Sequence, residues 1–230
     1  EILRCLVGSE MCIRDRINAV RLINVNYNNN AYRISDETLY FNGESTLISL
    51  QNGGGKSVLV QMLTAPFVHP RYRNTKDRLF ESYFTTNKPS FILVEWALDQ
   101  GAGYVLTGLM VRKSQDMEED RKENLDIIGI VSEYQSPCIQ DIHHLPVVEK
   151  GKKEMILKNF NSCRQLFETY KKDRDMKFFY YDLTNYAQSR QYFDKLMEYQ
   201  INYKEWETII KKINLKESGL SDLFADCRDE

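Results

Sequence analysis

Three glycines followed by a lysine and a serine, Gly53-Gly54-Gly55-Lys56-Ser57, are the residues of this sequence whose types and spacing best suit chemistry. A polyphosphate carries several negative charges that must be met without bulky side chains in the way. Glycines let successive backbone N–H groups turn inward as an anion-binding nest, and a following helix adds its positive N-terminus. In such a loop Lys56 reaches the β- and γ-phosphates and the Ser57 hydroxyl ligates Mg2+, while Asn52, Gly53, Gly54 and Gly55 line the cradle. The expected ligand is a nucleoside triphosphate with magnesium, ATP and Mg2+, and Lys56 and Ser57 are the expected catalytic groups. The usual pattern is G-x-x-x-x-G-K-[ST], and this chain departs from it by carrying Leu50 at the first glycine position. A flexible glycine turn that happens to precede Lys-Ser is the competing reading.

Other chemistry-bearing residues form weaker groupings. His143-His144 lies near Asp141 and Cys138, but no second Cys or His pair completes a recognisable ligand spacing, so a structural role is expected. Lys150, Lys152 and Lys153 form one small basic turn and Lys171-Lys172 another, and both read as solvated rather than as contacts to a DNA backbone. Phe178-Phe179-Tyr180-Tyr181 reads as a buried strand, not a base-stacking platform. No Ser-His-Asp or Cys-His arrangement emerges from the spacing.

Composition sets the bounds. The chain has 230 residues with 42% hydrophobic and 28% charged, enough for one sizeable core. A net charge of −2 gives no global attraction to nucleic acid. No apolar run approaches the roughly 20 residues needed to cross a bilayer. The five cysteines are scattered without CxxC pairs, which reads as free thiols in a reducing compartment, the cytoplasm.

The loop needs elements to hold it. Residues 19–26 largely alternate apolar and polar, as a half-buried strand does, until Asn28-Asn29-Asn30 breaks the pattern. A second short strand is expected over 38–41, a tight turn at Asn42-Gly43, and a third strand over 45–50 running into the glycines. Residues 58–63 make an apolar helix that Pro66 helps to end. After Pro89, residues 91–98 and 104–111 form a hairpin, with a further strand at 127–134 and a charged loop at 116–123. From Phe160 onward the spacing of apolar residues is mostly helical. The expected fold class is α/β.

With Asn52 before the glycines, the loop resembles the N-G-x-G-K-S form of ABC-type ATPases in the SMC, MukB and RecN group. Val20-Arg21-Leu22-Ile23-Asn24-Val25-Asn26 looks like the strand that opens a MukB-type head, and the 90–112 hairpin occupies the place of its antiparallel β-subdomain. The motif-level resemblance covers residues 17–113. It implies a P-loop NTPase of ABC/SMC type, this chain being the N-terminal lobe of the head with a β-subdomain and C-terminal helices. It implies partners too: the protein's own C-terminal lobe, a second head in a homodimer, DNA through the full assembly, and accessory subunits. No membrane role is expected, and the expected location is the cytoplasm, on the nucleoid. Walker B and signature motifs are expected outside this chain, because Ile92-Leu93-Val94-Glu95-Trp96 has no aspartate and reads as an ordinary strand. Arg71, Arg73 and Arg78 sit where related heads bring an arginine to the phosphates. Asn28, Asn29 and Asn30 sit where they contact the adenine side, and Gln140, Gln165, Gln188, Gln191 or Gln200 is the expected magnesium-ligating glutamine. Another P-loop NTPase with its own Walker B, and a nucleotide-gated scaffold with little hydrolysis, are the rival readings.

Residues 6–15, Leu-Val-Gly-Ser-Glu-Met-Cys-Ile-Arg-Asp, resemble the translation of a transposase-based sequencing adaptor. Residues 1–16 are accordingly expected to be a non-native leader, and residues 17–230 the incomplete N-terminal part of an SMC-like head.

Overall fold

Alternation along the strands decides the architecture. The computed structural model describes residues 16–49, 54–75, 78–114, 124–151 and 155–215. The strands are β1 (Arg16–Tyr27), β2 (Tyr32–Tyr40), β3 (Ser90–Ala97), β4 (Tyr104–Lys113), β5 (Leu125–Tyr134), β6 (Val148–Lys150), β7 (Met155–Leu157) and β8 (Lys177–Asp182). Six of them form one sheet in the order β2-β1-β3-β4-β5-β8, each neighbouring pair antiparallel, while β6 and β7 pair separately. In β3, Ile92, Val94 and Trp96 enter one apolar core and Phe91 and Leu93 enter another. The central strands are therefore buried on both faces, which is why they read as near-continuous apolar runs.

Helices cover both faces. α1 (Lys56–Thr64), α3 (Tyr186–Glu198) and α4 (Tyr203–Leu215) pack on the first face through Val58, Met62, Tyr192, Phe193, Leu196, Trp206 and Ile210. α2 (Phe160–Lys172) packs on the second through Phe160, Cys163, Phe167 and Tyr170, beside Ile142, Leu145 and Val147 of the preceding loop. Asparagine caps start two of these helices: Asn159 accepts from the Ser162 N–H at 2.8 Å and Asn185 from the Gln188 N–H at 3.1 Å. The protein is a mixed α/β structure built on a mostly antiparallel sheet.

Two irregularities in β1 matter for the site end of the sheet. Pairing with β3 shifts at Asn18, so Ile17 and Val20, three residues apart, both pack on the first face. Asn24 adopts φ 58° in mid-strand, and Leu22 and Val25 likewise share that face. A buried non-glycine residue in the left-handed region is costly unless its surroundings over-determine it. Here the Asn24 amide donates to the Pro89 carbonyl at 3.1 Å, and its own carbonyl accepts from the Ser90 hydroxyl at 2.6 Å.

Most expected elements are present, with two corrections. The second strand, expected over 38–41, spans Tyr32–Tyr40, so Phe41 lies beyond it. The 91–98 and 104–111 hairpin and the 127–134 strand appear as β3, β4 and β5. The turn at Asn42-Gly43 has both residues at positive φ and closes with a 2.9 Å bond from the Glu44 N–H to the Phe41 carbonyl. The third strand expected at 45–50 does not form over residues 45–49, and Leu50 lies outside the described residues. An extended segment becomes a strand only by pairing, and residues 45–49 pair with neither edge of the described sheet, β2 or β8. The charged loop at 116–123 also lies outside the described residues, as do residues 1–15.

Candidate nucleotide-binding site

α1 begins on a glycine because its geometry demands one. Gly55 is the residue before the first helical position, with φ 87° and ψ 16°, in the left-handed region. A Cβ there would meet the Tyr27 ring at 3.6 Å, an ordinary contact, so the backbone angle rather than space selects glycine. Gly55 has no side chain with which to cap the helix, which leaves the task of satisfying its first-turn N–H groups to other partners. Lys56 and Ser57 are exposed, whereas Val58, Gln61, Met62 and Leu63 of the same helix are buried. The apolar face thus holds α1 on the sheet and the Lys-Ser pair faces outward at its positive end. Gly54 is exposed beside them, while Asn52 and Gly53 lie outside the described residues.

Two tyrosines that the sequence reading passed over stand next to this loop. Tyr27 closes β1 and approaches Gly55, and its ring stacks on Tyr32, the first residue of β2, at 5.3 Å between centroids and 21° between planes. Tyr32 remains 55% exposed, so the pair offers an open aromatic surface beside the glycine loop. Their period within two adjacent strands was the available signal; the approach of Tyr27 to Gly55 needed three dimensions. Between them Asn28, Asn29 and Asn30 take φ values of 54°, 53° and 66°, three consecutive left-handed residues closed by the Ala31 N–H to Asn28 carbonyl bond at 3.0 Å. Asparagine tolerates this conformation better than other residues with a side chain. The Asn30 side chain accepts from the Thr85 hydroxyl at 3.1 Å, and Asn26 donates to that hydroxyl at 3.0 Å.

The arginines separate. Arg73 is buried, and its Nε donates to the Ala65 carbonyl at 3.1 Å, next to Phe80. Ala65 follows the last residue of α1, so at 1.5 Å per residue this contact lies about 13 Å along the helix from Lys56. Arg78 is exposed and reaches the Tyr83 hydroxyl, which burial pushes above its ordinary range while Arg78 pulls it down. Arg71 is exposed, with its guanidinium 4.7 Å from the centre of the Tyr72 ring.

Glu95, in the strand that most nearly imitates Walker B, sits on the opposite face from α1. It is buried, bonded to the Tyr134 hydroxyl, and accepts from the Asn18 amide at 2.6 Å. Burial and the neighbouring carboxylate together push the Tyr134 hydroxyl well above its ordinary value. Of the five glutamines, Gln140 is buried against β5, donating to the Glu133 carbonyl at 3.1 Å, and Gln188 accepts from the Asp182 N–H at 2.9 Å. Gln165, Gln191 and Gln200 are exposed on or beside helices.

Asp141 organises the His143-His144 segment. It accepts from the N–H groups of His143 and His144 at 2.7 Å each, from the Cys138 N–H at 2.9 Å, and from His144 Nδ1 at 2.7 Å. Among the described residues, no three His, Cys, Asp or Glu side chains come together in a way that could hold a metal ion. Lys172 pairs with Glu168 at 3.0 Å and Lys171 lies 5.1 Å from the centre of the Tyr180 ring. Lys152 and Lys153 lie outside the described residues.

No protein-family model matches the chain, and no characterised protein does either. No helix among the described residues is long and apolar enough to cross a membrane.

Proposed function

We propose that the chain is the ATP-binding half of an SMC/MukB-like ATPase acting on DNA, in chromosome organisation or in related repair or defence. The observation that carries this reading is Gly55 in the left-handed conformation, opening a helix whose first two residues are exposed Lys56 and Ser57. The donor set fits a triphosphate: a glycine-lined turn, the N-terminus of α1, an ammonium and a hydroxyl. Lys56 would meet the β- and γ-phosphates. Ser57 would give Mg2+ one protein oxygen, and phosphate oxygens and waters commonly complete that ion's shell. The Tyr27–Tyr32 surface and the asparagine turn would flank the base.

Bound ATP and Mg2+ supply the phosphoryl group and the charge that screens it; this chain's residues bind and orient. Phosphoryl transfer is mostly positioning and charge stabilisation, and Lys56 and Ser57 act in both. The general base and the signature motif would come from a C-terminal lobe and from a second head. The test is ATP binding by the chain with Lys56→Ala as control. Binding that disappears in Lys56→Ala, with an unchanged thermal midpoint, is the expected result. Binding or turnover that ignores the substitution overturns the proposal.

A further inference from the structure

Seven of the nine residues of α1 follow Ser57, and between Ser57 and Thr64 the only polar one is Gln61. The others are apolar: Val58, Met62 and Leu63 are buried against the sheet, and Leu59 and Val60 are half-buried. Apolar contacts are non-directional, so they hold this face on the sheet but set rotation and axial position less sharply than hydrogen bonds do. Gln61 supplies direction. It is buried, its Nε2 donates to the Arg73 carbonyl at 2.6 Å, and its Oε1 accepts from the Tyr83 hydroxyl at 2.7 Å.

Both partners lie outside α1, at Arg73 and at Tyr83 within the short helical turn Phe80–Tyr83. A one-residue slip of α1 would move Gln61 by about 1.5 Å and about 100°, which breaks both bonds. Each would then leave a buried polar group without its partner, a costly state. Gln61 also lies four residues beyond Ser57, on the same side of the helix. Its two bonds therefore set where the Ser57 hydroxyl and the Lys56 ammonium point.

Resting on the ATP-site reading above, we propose that Gln61 is the positioning residue of that site. Through Tyr83 and the Arg73 carbonyl it fixes the rotation and height of α1, and with them the magnesium ligand Ser57. Magnesium coordination is the most demanding of the site's contacts, because the ion tolerates little departure from its preferred geometry. Losing the Gln61 bonds should therefore weaken ATP binding in the presence of Mg2+ more than in its absence.

The experiment measures ATP affinity of the full chain with Mg2+ and with the ion chelated, for wild type, Gln61→Met and Tyr83→Phe. Methionine keeps the volume and helix preference of glutamine, and Tyr83→Phe serves where Gln61→Met fails to fold. Asp141→Asn, on the other face of the sheet, controls for loss of stability alone. The expected result is that the magnesium enhancement of ATP affinity shrinks about tenfold in both α1-linked variants, the equivalent of about one lost hydrogen bond. It stays at the wild-type value in Asp141→Asn. An unchanged enhancement in a folded Gln61→Met or Tyr83→Phe overturns the proposal, as does an equal loss in Asp141→Asn. A wild-type chain that binds no ATP overturns the functional reading itself, and so the two failures are told apart.

Discussion

Replacing Gly55 tests the nucleotide loop at the point where conformation, not contact, is decisive. The residue has φ 87° and ψ 16°, and an added Cβ would find the Tyr27 ring at 3.6 Å, so there is no clash to relieve. The whole penalty for Gly55→Ala is then that of placing an L-residue in the left-handed region, about 1–2 kcal/mol. That corresponds to a factor of about 5–30 in the ratio of native to alternative loop conformations. If only this loop geometry binds ATP and the alternatives become dominant in the variant, the apparent dissociation constant rises by up to that factor, because it scales inversely with the competent fraction. Asparagine enters this region far more readily than alanine, as residues 28–30 of this chain show, so Gly55→Asn should lose only a few-fold. The assay is ATP titration with Mg2+ on wild type, Gly55→Ala and Gly55→Asn, alongside urea unfolding of each. Equal affinities for wild type and Gly55→Ala, or equal losses in the two variants, would refute the reasoning.

Three further predictions concern the scaffold. In Asp141→Asn, the carboxylate oxygen that serves the Cys138 N–H and His144 Nδ1 becomes a donor or forces a flip, and urea unfolding should show a loss of about 1–3 kcal/mol. Burial alone would raise the Asp141 carboxyl, but the His144 side chain and the three backbone N–H groups outweigh it and hold the value below the ordinary one. Its stabilisation is thus complete above the ordinary carboxylate value of about 4 and is lost as pH falls through the lower folded value. The wild-type urea midpoint should drop across that window by more than the Asp141→Asn midpoint; parallel profiles would contradict this. Tyr134→Phe leaves the buried Glu95 carboxylate without its hydroxyl donor, and a loss of about 1–3 kcal/mol is expected in thermal unfolding, against none if water replaces the bond. Gly129→Ala would place a Cβ 2.7 Å from the Tyr192 ring, whose hydroxyl is tied to the Pro66 carbonyl at 3.0 Å, so an overpacking cost of about 1–3 kcal/mol should appear as a lower urea midpoint.

Periodicity made the sheet readable and could not place the loop. The runs at 91–98, 104–111 and 127–134 were legible because both faces of those strands are buried, so nearly every residue is apolar. Residues 45–50 mix Leu47, Ile48 and Leu50 with Ser and Thr, as an edge strand can, yet pairing is a property of neighbours, and no local pattern records that a neighbour is missing. Only residues 38–41 were expected as the second strand, because at the sheet edge the earlier part of β2, residues 32–37, carries mostly polar side chains and shows no apolar run. Within the site, glycine, lysine and serine announce their chemistry by type. Gln61 and Tyr27 do not, because a buried glutamine and a strand-end tyrosine acquire meaning only from Arg73, Tyr83 and Gly55, which lie far from them in sequence. Arg73 is likewise placed only by the structure, buried with its Nε on the Ala65 carbonyl.

The position of Glu95 constrains how any hydrolysis could occur. It is the one acidic residue of β3, and it shares its face with Phe91 and Leu93, whereas α1 rests against Ile92, Val94 and Trp96. Bringing Glu95 to the face of α1 would take a one-residue slip of β3, and such a slip exchanges every side chain of a strand between the two faces. Trp96 would leave its contacts with Phe67 and Trp206, and its 3.0 Å bond to the Thr107 hydroxyl would be lost. Tyr134 and Asn18 would lose Glu95 as their acceptor. Those losses together far exceed what one carboxylate near a metal could return, so β3 is held in its register by its own packing. Under the proposed reading, a carboxylate acting on ATP at α1 would come from outside β3, and a chain that hydrolysed ATP with Glu95 as its essential acid would contradict this.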